Sequence, residues 1–392
     1  MDAMARTGGA KPAASTRITD IDGLRGFAVL GILAVNMLDL ADPGRVFGVR
    51  SFTGPVDTAV EGFITGAGLL TFLTLFAFLF GYSFSLQLAG AQAEGASVVP
   101  RTLRRLLTLI AIGAAHLVFL WRGDILMLWG LLGLLLLALH GIRARTALIL
   151  ALSLATLALL YQGFNVLTAE PEAAAPVMTE EARAALAATL AGGLDYVSFN
   201  LGTFAVEDLY LQFLEVPSMF TVFLLGYAAG RARWLENDEV LDRWLPRIQL
   251  IGFAVGVPTA VALAWVEVSD GDFMSIPGLA GTFGAPFLVA FLAATLLRMS
   301  RRGSRVLRVL APAGVMSLSN YLMQSVLMCL LFTGYGLALA GRVPPLGILG
   351  VTAVICVLQV LCSAWWTRRF RYGPVEWVLR SATYGRLADM RR

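Results

Sequence analysis

Residues 346–366, LGILGVTAVICVLQVLCSAWW, decide the fold, because this run carries no charge and is followed at once by Arg368 and Arg369. A helix of this length crosses the hydrocarbon core of a bilayer, which is about 30 Å thick. Similar apolar runs recur along the chain, and we predict ten transmembrane helices. They are residues 21–40, 60–88, 103–121, 125–140, 146–165, 208–230, 245–266, 276–297, 310–336 and 346–366.

The composition excludes a soluble protein. Of 392 residues, 58% are hydrophobic and only 14% are charged, whereas a soluble domain has about 25% charged residues. The sequence therefore predicts an all-α, polytopic membrane helix bundle whose main partner is the lipid bilayer. The net charge of +4 does not indicate a nucleic-acid partner, because the basic residues lie at helix ends on one side.

This charge asymmetry predicts the orientation. Arginines crowd one set of helix ends, whereas acids crowd the opposite ends. The positive-inside rule places the basic set in the cytoplasm, so ten crossings put both termini there (N-in/C-in). The Arg-rich, Lys-poor composition indicates a bacterial source and hence the plasma (inner) membrane. The basic set includes Arg101, Arg104, Arg105, Arg143, Arg145, Arg231, Arg298, Arg301, Arg302, Arg305 and Arg308.

The domain organisation follows from the same pattern. Residues 17–380 form a single transmembrane helix-bundle domain, flanked by a mobile N-terminal tail (1–16) and a basic cytoplasmic tail (381–392). The Ala- and Glu-rich stretch 166–206 is predicted to be extracytoplasmic and to form a surface helix or a lid.

Polar residues inside the apolar runs are the candidates for function, because an ionisable group in hydrocarbon costs several kcal/mol. Asp22 and Arg25 lie one turn apart at the start of the first helix. Asn36 lies eleven residues beyond Arg25, roughly 16 Å along the helix. His116 lies eleven residues beyond Arg105 in the third helix, and thus at a similar depth.

Two further helices add polar groups at that depth. Glu215 lies near the outer end of the sixth helix, and Asn320 and Gln324 lie on one face of the ninth. Four helices therefore place Asn36, His116, Glu215 and Gln324 in the outer half of the bilayer, which predicts a site.

A structural interpretation stands beside each functional one. Asp22 and Arg25 serve equally well as a clamp at a helix start, and the amides of the first and ninth helices as hydrogen-bond partners between helices. His116 is equally explained as a satisfied buried histidine, and Glu215 as a partner for backbone groups freed by Pro217.

Short motifs run from the first predicted helix to the last. They are DGLRG (22–26), FLTLFAFLFG (72–81), WRGDIL (121–126), GYAAGR (226–231), LSNYLMQS (318–325) and YGPVEWVLR (372–380). In this combination they resemble the YeiB family (domain of unknown function 418), and the resemblance covers nearly the whole chain.

That family looks related to two types of membrane acyltransferase. The acyltransferase-3 type carries an Arg-x10-His pair in its first helix, and the heparan-α-glucosaminide N-acetyltransferase type an Arg-x10-Asn pair. Arg25 and Asn36 match the second form. The resemblance implies transfer of an acyl group from cytoplasmic acyl-CoA to an acceptor across the membrane. The further histidine of that type is absent here, which leaves His116 as the imidazole at the right depth.

We therefore predict an integral-membrane acyltransferase with acyl-CoA as donor substrate and no metal. Asn36 polarises the thioester carbonyl, His116 is the general base, Asp124 orients it, and Glu215 is a reserve base. The catalytic candidates are His116, Asn36, Asp124 and Glu215; the candidates for binding substrate are Asp22, Arg25, Arg105, Asn320 and Gln324.

Two other functions stay open. Arg25, His116 and Glu215 fit a proton-coupled path or an anion site in a transporter, although the sequence shows no broken helix pair. A non-catalytic scaffold that binds a lipid-like molecule or a partner is the third reading. The sequence leaves the oligomeric state open, a homodimer included.

Overall fold

The computed structural model describes residues 13–95, 97–168, 179–203, 209–269, 271 and 275–392, with backbone alone for 13–18, 203 and 209–215. Over these residues the chain is helical, and its one β-bridge joins Phe370 to Arg391. The predicted all-α membrane bundle is thus confirmed. Most of the predicted N-terminal tail, and residues 169–178 and 204–208 of the predicted loop, lie outside the described residues.

The described residues form a series of helices, which are joined mostly by short turns. They are α1 (Ala13–Ala41), α2 (Pro55–Gly68), α3 (Thr71–Ala93), α4 (Val98–Phe119), α5 (Leu126–Ala138), α6 (Ala144–Thr168), α7 (Thr179–Ala191), α8 (Gly193–Thr203), α9 (Leu209–Arg231), α10 (Asp238–Val268), α11 (Ile276–Arg301), α12 (Val306–Val315), α13 (Ser317–Phe332), α14 (Pro345–Thr367) and α15 (Pro374–Tyr384).

Each of the ten predicted segments overlaps one or more helices. Seven spans in the described part of the chain are long and apolar enough to cross a membrane, and the pair α12–α13 makes an eighth. Of the remaining two segments, α5 has only 13 residues, and α9 begins among side chains that are not described. The number of ten crossings, and with it the position of the termini, stays a prediction.

One of the segments is broken, which the apolar pattern did not predict. Segment 310–336 divides into α12 and α13, which are bent by 78°, whereas α2 and α3 of segment 60–88 form one span. The expectation that no helix pair is broken is therefore wrong. Glu376 of α15 accepts hydrogen bonds from the amides of Leu318 (2.7 Å) and Ser319 (3.0 Å). The break thus leaves these two α13 amides satisfied.

Glycines set the closest helix crossings. In the α3–α9 pair, a Cβ at Gly81 would overlap the backbone of Phe223, and one at Gly226 the carbonyl of Phe78. In the α1–α12 pair, a Cβ at Gly314 would overlap the Asp22 carbonyl. Small residues let backbones meet where helices share no hydrophobic driving force, as in lipid.

The outward faces of the bundle are apolar. Leu160 of α6 is 66% exposed, Phe253 of α10 is 53% exposed and Val357 of α14 is 58% exposed. A helix that is apolar on its exposed face as well as its buried one is typical of a membrane span. These faces are the surface that the bilayer covers.

At the predicted outer end, α7 and α8 lie across the bundle. They are joined at Gly192 and Gly193, whose φ angles of 66° and 56° favour glycine. The Tyr196 hydroxyl donates to the Leu120 carbonyl (2.9 Å), just beyond the end of α4. The predicted loop is therefore helical where it is described, and α8 covers the end of α4. Its extracytoplasmic position, and its role as a surface helix or a lid, stay predictions.

The residues after α15 fold back on the bundle. The Arg371 amide donates to the Met390 carbonyl (2.9 Å), and the Trp377 indole donates to the Ala388 carbonyl (2.7 Å). The predicted C-terminal tail is therefore packed against α15 and the turn that precedes it.

Candidate active site

The end of α4 positions His116. The amides of Leu120 and Trp121 both donate to the His116 carbonyl, at 2.9 and 3.0 Å, so the helix ends one turn later. The chain then reverses, and α5 starts beside α4. Asp124 lies just before α5, and its Oδ2 accepts from the Met127 amide in the first turn of that helix, at 2.7 Å. Its Oδ1 then lies 2.9 Å from His116 Nδ1.

Gly113 allows this approach. It lies one turn before His116, and a Cβ there would come within 2.8 Å of Asp124 Oδ2 and overlap the Met127 amide. The absence of a side chain at Gly113 lets the α4–α5 hairpin close, and this closure sets the His116–Asp124 distance.

The other face of the imidazole meets α13. Nε2 of His116 lies 2.7 Å from Ser325 Oγ. The Tyr321 ring, one turn earlier on α13, lies 5.1 Å from the imidazole. The α4–α5 hairpin and α13, which are 209 residues apart at this contact, therefore meet at His116.

The group is sealed from solvent. His116 is 2% exposed, Asp124 5% and Ser325 1%. The Asp124 contact lies off the direction of a regular hydrogen bond but within ion-pair distance. A carboxylate facing Nδ1 favours the tautomer that carries its proton there, which leaves the Nε2 lone pair free for a hydroxyl proton. Chemically, such an arrangement can supply a base, an acid that orients it and a hydroxyl within reach.

A second polar site lies toward the predicted cytoplasmic end. Arg25 and Arg105 line a cavity of about 220 Å³, together with Ser83, Gln87 and Glu376. Arg25 donates to Asp22 at 2.6 Å and to Ser83. The predicted clamp is therefore formed, and it extends to α3.

Arg105 has no such partner. Among the described residues it makes neither an ion pair nor a side-chain hydrogen bond, and the cations Arg25 and Arg380 both act on it. Arg25, Arg105 and the neighbouring Arg380 outnumber the carboxylates of Asp22 and Glu376 by one, which leaves an excess of positive charge here. Such a site favours an anion.

The carboxylate of Glu376 offsets part of that positive charge. Its Oε2 accepts from the Ser319 hydroxyl at 2.5 Å, and its Oε1 accepts the amides at the start of α13. Burial raises the pKa of Glu376, although these hydrogen bonds act in the opposite direction. The cavity therefore becomes more positive as this carboxylate is protonated.

The cavity and the histidine share α4. Arg105 and His116 are eleven residues apart, which is roughly 16 Å along a helix. They thus occupy two levels of one bundle, with α4 running between them.

Asn320 and Gln324 are engaged within the protein. The Asn320 amide donates to the Ala313 carbonyl (3.1 Å) and to Ser363 (3.0 Å). The Gln324 amide donates to the Val29 carbonyl (3.0 Å) and to Gln359 (2.8 Å). These bonds join α13 to α1, α12 and α14, so the interhelical role is observed. A role in substrate binding stays a prediction.

Two other candidates stand apart from this network. Asn36 is half-buried, and its side chain makes no hydrogen bond to another described residue. Its proposed role in polarising a carbonyl stays a prediction. The side chain of Glu215 lies outside the described residues, so its role as a reserve base also stays a prediction.

Sequence reasoning missed the role of Ser325 and a buried charge cluster near the predicted outer surface. In that cluster Arg45 contacts Asp39 (3.0 Å) and Glu267 (2.7 Å), and Arg50 contacts Glu61 (3.5 Å). Glu61 is fully buried. A lone glutamate inside the apolar run 60–88 was the signal that could have revealed it.

The described residues offer no evident metal site. In the described ranges, no three histidine, cysteine, aspartate or glutamate side chains are grouped so that they could hold an ion.

Comparison with known proteins finds relatives that match most of the chain. Residues 229–386 match the model of a family described as "Protein of unknown function (DUF418)". "Uncharacterized protein YxaH" of Bacillus subtilis (strain 168) is 32% identical over 395 residues, covering 94% of each chain. "Uncharacterized protein YeiB" of Escherichia coli (strain K12) is 30% identical over 388 residues, covering 94% of this chain and 96% of the relative. The likeness therefore spans α4, α5 and α13, which build the site.

Proposed function

Because this chain belongs to the DUF418 family and folds as a multi-pass membrane bundle, we propose that it is a membrane acyltransferase. It would pass an acyl group from cytoplasmic acyl-CoA to a hydroxyl or amine acceptor that is extracytoplasmic or linked to a lipid. The observation that carries this proposal is the sealed contact of Asp124, His116 and Ser325, at 2.9 and 2.7 Å.

The proposed base is His116. Its Nε2 takes the proton of a nucleophile, while Asp124 fixes the tautomer and stabilises the imidazolium that forms. The low exposure of the group excludes bulk water, which would otherwise hydrolyse an activated acyl group.

The proposed donor site is the cavity between Arg25 and Arg105. An unpaired arginine beside a second arginine suits phosphate groups, because one guanidinium group can bind two phosphate oxygens at once. The long arm of the donor would extend along α4 toward His116. Asn36, with its free amide, would donate a hydrogen bond to the thioester carbonyl.

One observation favours a second candidate, which is a transporter of a small anion. The break between α12 and α13 resembles the discontinuous helices of secondary transporters, whose half-helix N-termini point at anionic substrates. Ser317 at the start of α13 lines the arginine cavity. Anion flux into proteoliposomes that is independent of acyl transfer would support this candidate.

Binding of the donor tests the proposal. Acetyl-CoA and longer acyl-CoAs are titrated into detergent-solubilised protein, and wild type is compared with Arg105→Gln. Arg104→Gln is the matched control, because Arg104 is the neighbouring, exposed arginine of the same helix. We expect saturable binding that weakens at least about tenfold in Arg105→Gln, which is about 1.4 kcal/mol, and persists in Arg104→Gln. Absence of binding at millimolar donor would refute it.

A further inference from the structure

Ser325 differs from several other buried hydroxyls of the bundle in how its hydroxyl is satisfied. The buried threonines Thr189, Thr333 and Thr367 donate to the carbonyl four residues earlier, at 2.7, 2.9 and 2.8 Å. Such back-bonding is the ordinary way in which a helical hydroxyl is satisfied. In Ser325 the corresponding distance, to the Tyr321 carbonyl, is 3.4 Å.

The Ser325 hydroxyl is held instead by the imidazole. Its Oγ lies 2.7 Å from His116 Nε2. In the tautomer that carries its proton on Nδ1, which Asp124 favours, the hydroxyl donates to Nε2. Nδ1 of the same ring faces Asp124, whose other oxygen is fixed by the Met127 amide. Nucleophile, base and orienting acid stand in the order that activates a serine for attack.

We propose that Ser325 is the nucleophile and that the reaction passes through an acyl-Ser325 ester. This inference rests on the proposed function, to which it adds a covalent intermediate and a double displacement. It also explains how a donor from one side of the membrane can serve an acceptor on the other, because the two substrates need never meet. The buried serine carries the acyl group between them.

The first half-reaction releases CoA. Ser325 Oγ attacks the thioester carbonyl carbon, and its proton goes to His116 Nε2. The carbon–sulfur bond breaks, and the thiolate takes that proton and leaves as free CoA thiol. The acyl group remains on Ser325 as an ester.

The second half-reaction mirrors the first. A hydroxyl or amine of the acceptor attacks the ester carbonyl, and His116 Nε2 takes the proton from the acceptor. The bond to Ser325 Oγ breaks, and the oxygen recovers the proton from the imidazolium. The product is an ester or an amide, and the enzyme is restored.

The test traps the ester. Wild type is incubated with isotope-labelled acyl-CoA, quenched and digested, and the acylated peptide is identified by mass spectrometry. We expect label on Ser325 in wild type and on the cysteine in Ser325→Cys, but none in Ser325→Ala. Acyl transfer should fall at least about 100-fold in Ser325→Ala. Ser85→Ala is the control, because Ser85 is buried and bonds only the Tyr82 carbonyl.

A second probe separates this inference from the proposed function. An alkyl fluorophosphonate reacts with activated serines and needs no CoA. It should modify Ser325 in wild type but not in His116→Gln. Thermal unfolding in detergent checks that both proteins are folded. Modification of Ser325 without any acyl-CoA turnover would support the nucleophile and refute the donor. Acyl transfer that persists in Ser325→Ala but is lost in His116→Gln would overturn the nucleophile and leave the proposed function standing.

Discussion

At the scale of single residues, His116 is the point where α4, α5 and α13 meet. The sequence suggested Asp124 as the residue that orients His116, but it did not show whether the two side chains touch. It did not reveal Ser325, because 209 residues separate Ser325 from His116 and the motif LSNYLMQS presents four polar side chains with nothing to rank them. The contact that singles out Ser325 depends on tertiary packing.

Asp124→Asn tests the orienting role. The amide keeps the size of the carboxylate but removes the charge that stabilises an imidazolium. We expect kcat to fall by a factor on the order of 10² to 10⁴, with little change in KM, as measured by initial rates over a range of donor concentrations. Glu180→Gln, an exposed acid on α7, serves as control. A changed KM with unchanged kcat would assign Asp124 to binding.

Glu376 makes donor binding depend on pH. Because burial raises the pKa of Glu376, its charge is lost at a higher pH than that of an exposed glutamate. The neutral form repels an anion less, so the affinity for acyl-CoA should rise as the pH falls from about 7 to about 5. In Glu376→Gln this rise should flatten, and titrations at each pH measure it. An unchanged slope in the variant would exclude Glu376 as the titrating group.

At the scale of elements, the apolar runs predicted where helices lie but not where they bend. An apolar pattern is the same on both sides of Met316, so it does not record the 78° change of axis between α12 and α13. At the break, the Leu318 amide donates to Glu376, which lies 58 residues further along the chain. Local sequence carries no sign of that partner.

The glycine crossings can be tested within one helix. In Gly81→Ala a Cβ would overlap the Phe223 backbone, which cannot move aside as a flexible side chain can. We expect a loss of about 1–3 kcal/mol of stability, measured by unfolding in mixed detergent micelles. Gly90→Ala, on the same α3 with open space around it, should be neutral or stabilising by up to about 1 kcal/mol. Equal effects of both substitutions would refute close packing at Gly81.

At the scale of the whole molecule, composition and charge asymmetry carried most of the prediction. The membrane class follows from 58% hydrophobic residues, and the all-α architecture from the repeated apolar runs. The way in which α8 covers α4, and the C-terminal residues pack on α15, rests on contacts such as that of Tyr196 with Leu120. A pattern along the chain does not specify these long-range contacts.

The orientation of the bundle in the membrane can be tested by chemical labelling. In a background without the three native cysteines, Thr53→Cys and Ser304→Cys mark the two ends of the bundle. A membrane-impermeant maleimide should label Thr53→Cys on intact cells, and Ser304→Cys only after permeabilisation, because the basic ends face the cytoplasm. The opposite pattern would put the arginine cavity outside, where acyl-CoA is not available.

Transfer of an acyl group away from CoA by the buried histidine centre can be measured in inverted membrane vesicles that contain the protein. Labelled acyl-CoA is supplied to the cytoplasmic face, and the label is followed into any other molecule. We expect transfer that saturates with donor in wild type and falls at least about 100-fold in His116→Gln, while both proteins unfold at the same temperature. Equal transfer by the two proteins, or none by wild type, would contradict this expectation.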